Sequence, residues 1–126
     1  MRLLIDSHVL LWWFDGADRL GEAARDAIGD GDNEAVVSAA TLWELSIKQA
    51  AGKLDVAVDL RAHSAEQGFR ELPVSGRHAV AVRELPGHHR DPFDRMLVAQ
   101  ARLEGLTVVT ADRALAAYDV PILAAL

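Results

Sequence analysis

Three residues near the start constrain this chain more than any others. Leu3, Leu4 and Ile5 form an unbroken apolar run that delivers the backbone straight into Asp6 and Ser7. A run without polar alternation leaves no face for water, so it reads as a short strand covered on both sides, as in the middle of a parallel sheet. Two later stretches repeat the pattern: Ala35-Val36-Val37 ends at Ser38, and Leu106 to Thr110 (LTVVT) leads into Ala111-Asp112-Arg113. Segments with helical spacing lie between them. Short apolar strands alternating with helices predict an α/β fold, a central parallel sheet of four to five short strands flanked by helices. Right-handed crossovers would place those helices on both faces.

The remaining segments fit this frame. His8 to Phe14 (HVLLWWF) predicts a nearly all-apolar helix, covered on most sides by the fold or by a partner, and Asp15-Gly16 breaks it. Leu20 to Ile28 has a helical apolar face, and the turn residues 29–33 follow it. Ala39 to Ala51 predicts a helix with Leu42, Leu45 and Gln49 on one stripe and Gly52 as its stop. Asp59 to Gln67 predicts another. Phe69 to Val74 reads as an edge strand, because Pro73 would interrupt a central one. Ser75 to Leu85 reads as helical with Ser75 as cap. Asp91-Pro92 is a strong helix start, an acceptor at the cap and a proline in the first turn; that helix runs to Glu104 and stops at Gly105. A short helix at Ala114 to Tyr118 leads to a last strand at Val120-Pro121-Ile122. With 126 residues, no repeat and no linker, one domain over 1–126 is expected.

Several functional classes fall away. There is no cysteine, which excludes disulfides and thiolate metal sites and fits a reducing cytosol. No apolar stretch reaches the ~18 residues of a membrane helix. Val9 to Phe14 is too short for a signal-peptide core, so the chain is expected to be cytoplasmic and complete from Met1. The formal net charge of −6 argues by itself against non-specific nucleic-acid binding. Acids that converge on a divalent cation reverse that argument locally.

Four acids occupy comparable places. Asp6 follows the first strand, Glu44 lies in the helix after the second, Asp94 is in the first turn of the helix opened by Asp91-Pro92, and Asp112 follows LTVVT. Strand ends and helix starts share one edge of a parallel sheet, where ligands collect. Carboxylates gathered there would raise one another's pKa, and such a cluster persists mainly by binding a cation. All-oxygen ligands favour Mg²⁺ or Mn²⁺ over zinc, with one ion or two equally compatible. Such an ion suits water-driven attack on a phosphodiester. Each acid also has a local reading: Asp6 and Asp112 as helix caps, Glu44 as an i,i+4 partner of Lys48, Asp94 as a complement to the helix dipole.

The neighbours extend the set. The hydroxyls of Ser7, Thr41 and Thr110 are placed to orient carboxylates around a metal, whereas Ser38 reads as a local cap. Arg95 and Arg113 each adjoin an acid and are possible phosphate contacts. Asp91 is left out of the metal set because capping is its first task. His88 and His89 read as solvent-exposed, and His8 as structural. For Trp12, Trp13 and Phe14, burial or a partner surface fits better than stacking on bases.

In this order LLIDSHVLLWW, VVSAATLWELSIK, HHRDPFDRMLVAQA and LTVVTADRAL closely resemble the PIN-domain ribonucleases, in particular VapC-type toxins of toxin–antitoxin pairs, over nearly the whole chain. The resemblance implies a PIN-like α/β domain and Mg²⁺- or Mn²⁺-dependent endonucleolytic cleavage of RNA. It also implies a cognate antitoxin that inserts a segment into or beside the active site, and a homodimer. It maps the family's four acids onto Asp6, Glu44, Asp94 and Asp112.

Other classes fit less well. A haloacid-dehalogenase-like phosphatase wants a second aspartate two residues after Asp6, where His8 stands. A phospho-receiver wants adjacent acids after its first strand and a lysine late in the chain, but Leu4-Ile5 precede Asp6 and no lysine follows Lys53. A non-catalytic module that binds RNA or an antitoxin remains the alternative.

Overall fold

Leu3, Leu4 and Ile5 are wholly inaccessible, and the fold follows from how that is achieved. The computed structural model describes residues 1–126. In order, it contains β1 (Arg2–Ile5), α1 (Ser7–Phe14), α2 (Glu22–Gly29), β2 (Glu34–Ser38), α3 (Ala39–Ala50), α4 (Leu60–Glu66), β3 (Arg70–Leu72), α5 (Gly76–Ala81), α6 (Pro92–Glu104), β4 (Thr107–Thr110) and β5 (Ile122–Ala124). Single 3₁₀ turns occupy Val82–Glu84 and Arg113–Ala117. All strand pairings are parallel, in the order β3-β2-β1-β4-β5. β1 is therefore central, with Leu4 opposite Val36 on one side and Val108 on the other.

Side-chain alternation divides the core into two layers. Leu3, Ile5, Val37 and Val109 face one cluster with Val9 and Leu10 of α1, Ala24 and Ile28 of α2 and Leu60 of α4. Leu4, Val36 and Val108 face the other, with Leu97, Val98 and Ala101 of α6. Each fully buried β1 side chain contributes about 1.5–3 kcal/mol. No helix is long and apolar enough to cross a membrane.

The predicted elements are present, with local shifts. The second helix begins at Glu22 rather than Leu20, because Gly21 is pressed against the C-terminus. Its N–H donates to Ala125 O at 2.7 Å, and a Cβ there would lie 3.0 Å from the Leu126 carbonyl carbon. The edge strand β3 is only three residues long. The segment after Ser75 is a short helix plus a 3₁₀ turn, started by a capping box in which Ser75 and His78 bond each other's backbone. The segment after Asp112 is 3₁₀. The last strand lies at Ile122–Ala124, two residues beyond the expected Val120–Ile122: Val120 N–H bonds Tyr118 O in a turn, and the ladder begins only at the Pro121 carbonyl, which accepts from Val108 N–H. Gly105 ends α6 in the left-handed region, at φ 68°.

Candidate active site

The strand order determines where a ligand can sit. From β1 the chain moves to β2 and β3 on one side, then returns to place β4 and β5 on the other. Adjacent strands β1 and β4 thus diverge in connection at their carboxyl ends, and an open α/β sheet leaves a crevice at such a point. Asp6 follows β1 and Asp112 lies two residues after β4, so the crevice has an acid on each lip. Helices α3 and α6 both start at this edge. They bring Glu44 and Asp94 to the same cleft of about 390 Å³, which all four predicted acids line. Asp91 lines it too, as do Ser7, His8, Trp12 and Lys48.

The local readings of the acids hold alongside this convergence. Asp6 Oδ1 accepts from Val9 N–H at 2.9 Å, capping α1. Asp112 Oδ1 accepts from Ala114 N–H at 2.9 Å. Glu44 Oε2 lies 2.9 Å from Lys48 Nζ. Asp91 Oδ1 accepts from Phe93 N–H at 2.8 Å and Asp94 N–H at 3.3 Å. The bonds fix each carboxylate without saturating it, since a carboxylate can accept at about four positions. Ser38, as expected, caps α3 by accepting from Ala40 N–H at 3.0 Å.

Burial and crowding set the electrostatics. Asp6 is only 5% exposed, and burial pushes its carboxyl above the ordinary range against hydrogen bonding from the Thr110 hydroxyl and Val9 N–H. Asp94 is pushed up to about 7, first by burial and then by the charge of Asp91, with Asp6 and Glu44 adding to it and His89 opposing. Asp112 goes the other way. Burial works against its charged form, but bonds from His89 and Ala114 N–H and the nearby histidines hold it below the usual range. An anionic cluster that cannot fully ionise at neutral pH is a fit for a divalent cation. Its oxygen donors suit a hard ion such as Mg²⁺ or Mn²⁺.

The supporting residues sort unevenly. Thr110 links two acids: besides its bond to Asp6, its Oγ1 accepts from Asp112 N–H at 3.0 Å. Ser7 is buried beside Asp6 at the cleft wall. Thr41 lies one turn before Glu44 on α3, with its Oγ1 buried and unpaired. Arg113 is exposed next to Asp112. Arg95 does not reach out for phosphate. Its guanidinium donates to the carbonyls of Val82, Leu85, Pro86 and His89 at 2.9–3.3 Å and reaches the Tyr118 hydroxyl at 3.3 Å. It is a clamp on the loop before α6, a role invisible while that loop was only a string of Pro, Gly and His.

His89 and His8 also depart from expectation. His89 is only partly exposed, and its Nε2 lies 2.8 Å from Asp112 Oδ2 and 3.2 Å from Asp94 Oδ2. These three residues form a group whose ligand atoms all lie within 4.8 Å of one another. The available signal was its place two residues before a cap that opens an acid-bearing helix. His8 is exposed at the cleft rim rather than packed away, while His88 is exposed, its ring edge-on to Tyr118. Trp13 and Phe14 pack against Phe69, as burial predicts. Trp12 faces both the cleft and an adjoining apolar groove.

Known proteins share this sequence pattern and this fold. The PIN domain family model matches residues 3–121. Ribonuclease VapC22 of Mycobacterium tuberculosis is 30% identical over 122 residues, covering 94% of this chain and 93% of its own. Among solved structures, VapBC2 from Rickettsia felis bound to a promoter DNA fragment superposes with a TM-score of 0.70 at 13% identity, covering 99% of each chain. VapBC-5 of M. tuberculosis, a member of the VapBC toxin–antitoxin family, does so with 0.60 at 23%, covering 98% and 97%.

Proposed function

This chain belongs to the PIN-domain family, and on that premise we propose that it is a divalent-metal-dependent endoribonuclease, the toxin of a toxin–antitoxin pair, its single domain spanning residues 1–126. The observation that carries the reading is the convergence of Asp6, Glu44, Asp94 and Asp112 in one cleft at the switch point of the sheet. We assign the holding of Mg²⁺ or Mn²⁺ to these four. When bound, such an ion supplies the positive charge that favours attack of water on an RNA phosphodiester.

The chain's own groups do the rest. Asp6 is rigid, because its backbone continues a central strand and Oδ1 is fixed by α1. Glu44 is tethered by Lys48. Asp94 gives up a proton near neutral pH when a cation takes its place. Thr110 orients Asp6 and Asp112, the hydroxyls of Ser7 and Thr41 stand beside the acids as partners for water around a bound ion, and Arg113 and Lys48 meet the phosphate backbone. The apolar groove of Leu11, Trp12, Leu54 and Val56 adjoins the cleft through His8 and Trp12, which suits an antitoxin segment laid beside the site. A separate apolar groove lined by Trp43, Val74, Val82, Phe93 and Met96 leaves Trp43 64% exposed, which suits a second copy of the chain. RNA cleavage places the work in the cytoplasm.

The test is cleavage of total RNA by the purified chain in Mg²⁺ and in Mn²⁺. Cleavage should stop with a chelator and in Asp6→Asn and Asp94→Asn variants that keep the native circular dichroism spectrum. Full cleavage by folded Asp6→Asn would overturn the metal reading. RNA binding without any cleavage by the wild type would favour a non-catalytic module.

A further inference from the structure

His89 is held at every polar atom it has. Its backbone N–H donates to the Tyr118 hydroxyl at 2.9 Å, and its carbonyl accepts from Arg95 Nη1 at 3.3 Å. In the ring, Nδ1 accepts from Asp91 N–H at 3.0 Å. That bond decides the chemistry of the other nitrogen. A peptide N–H can only donate, so the Nδ1 lone pair is occupied and the neutral ring carries its hydrogen on Nε2. Nε2 is therefore a donor where it meets Asp112 Oδ2 at 2.8 Å and Asp94 Oδ2 at 3.2 Å. To become a metal ligand it would have to lose that hydrogen to Nδ1, which would then confront the Asp91 N–H.

We infer that His89 is a positioning residue: one N–H, shared between Asp94 and Asp112, holds the two carboxylates at the separation from which they bind a cation. The two acids come from different elements, α6 and the segment after β4, and no other side chain bonds both. Like charges left alone would spread apart, and the pair would then have to be drawn together by the ion itself. The donor lowers that cost before the ion arrives. The fixed loop makes the spacing reproducible: Arg95 and Tyr118 grip the His89 backbone, and the Asp91 cap that begins α6 also sets the ring. This inference rests on the metal-dependent reading above and adds a residue to it.

Calorimetric titration with Mg²⁺ and with Mn²⁺ tests it, on wild type, His89→Ala and His89→Gln, with thermal melts as the control for folding. Removal of an outer hydrogen-bond partner of metal ligands costs about 10–100-fold in affinity, and His89→Ala should show a loss of that size, equal for the two ions. His89→Gln keeps an N–H donor and should recover about tenfold or more where the loss is near the upper end of that range. Unchanged affinity in folded His89→Ala overturns the inference, and so does tighter binding, which would make His89 a competitor of the ion. A loss confined to Mn²⁺ also overturns it, because that is the signature of a nitrogen ligand. A wild type that binds neither ion overturns the metal reading as well, which separates the two failures.

Discussion

Lys48 Nζ lies 2.9 Å from Glu44 Oε2, one helical turn along α3 and inside the acidic cleft. It is the one lysine or arginine that lines that cleft, facing five carboxylates. Two consequences follow from its charge. It restrains Glu44, and it offers a contact to an anionic substrate that the acids would otherwise repel. Lys48→Gln should weaken binding of single-stranded RNA and reduce the slope of log affinity against log salt by about 0.7, the value for one phosphate contact. Fluorescence anisotropy over a salt series, in the Asp94→Asn background to prevent cleavage, measures it. An unchanged slope would leave Lys48 a helix-surface partner of Glu44 only.

Asp94 makes stability fall as pH rises in the metal-free protein. Its folded pKa of about 7 lies above the ordinary aspartate value of 3.8, so between the two the folded state retains a proton that the unfolded chain has released. The resulting stabilisation is complete below about pH 4 and is lost as pH climbs through 7. Burial raises Asp6 as well, with the same sign. Asp94→Asn should flatten this dependence and, at pH 8 without metal, stabilise the protein by roughly 1–3 kcal/mol. Urea unfolding at pH 5 and pH 8 reads the difference. Millimolar Mg²⁺ should stabilise the wild type at pH 8 and leave the variant almost unmoved.

Arg95→Met should cost stability and loosen the loop. Loss of the guanidinium leaves four carbonyls without a charged donor. Since part of this shell is open to water, the cost should be about 2–3 kcal/mol. Hydrogen exchange should speed up at His89 and Asp91 N–H, while α2 on the opposite face keeps its protection. An unchanged exchange pattern with lower RNA affinity would return Arg95 to a phosphate-binding role.

Gly21→Ala is the contrasting case, a change at a residue that does not line the acidic cleft. A Cβ there meets the Leu126 backbone at 3.0 Å, and both partners are main chain. The terminus must shift, weakening the Gly21–Ala125 bond, at a cost of about 1–3 kcal/mol. The melting temperature should fall while the cation affinity stays at the wild-type value.

Much of this was legible in the sequence, for identifiable reasons. Buried parallel strands have a simple signature, so LLI, AVV and LTVVT located the sheet centre. Asp91-Pro92 and Gly105 bounded α6 because caps and stops are written in single residues. The four acids could be placed together because strand ends and helix starts share an edge. What escaped depends on side chains meeting across the loop of residues 85–91. In sequence His89 reads as exposed and Arg95 as a phosphate contact, since nothing in their order shows that one ring nitrogen faces Asp91 N–H or that a guanidinium lies over four carbonyls. The last strand reads two residues early because an apolar Val-Pro-Ile signals a strand without revealing where its ladder starts.

The strand order has a consequence for how such a protein is made. A ribosome delivers β1 long before β4, yet the two are neighbours in the finished sheet. Asp6 is synthesised more than a hundred residues before Asp112, the acid on the opposite lip. Until Asp112 is made the chain carries only three of the four acids, and until β4 slots in beside β1 there is no completed crevice to hold them. A site arranged in this way stays unarmed until β4 and the acid behind it have been made and docked.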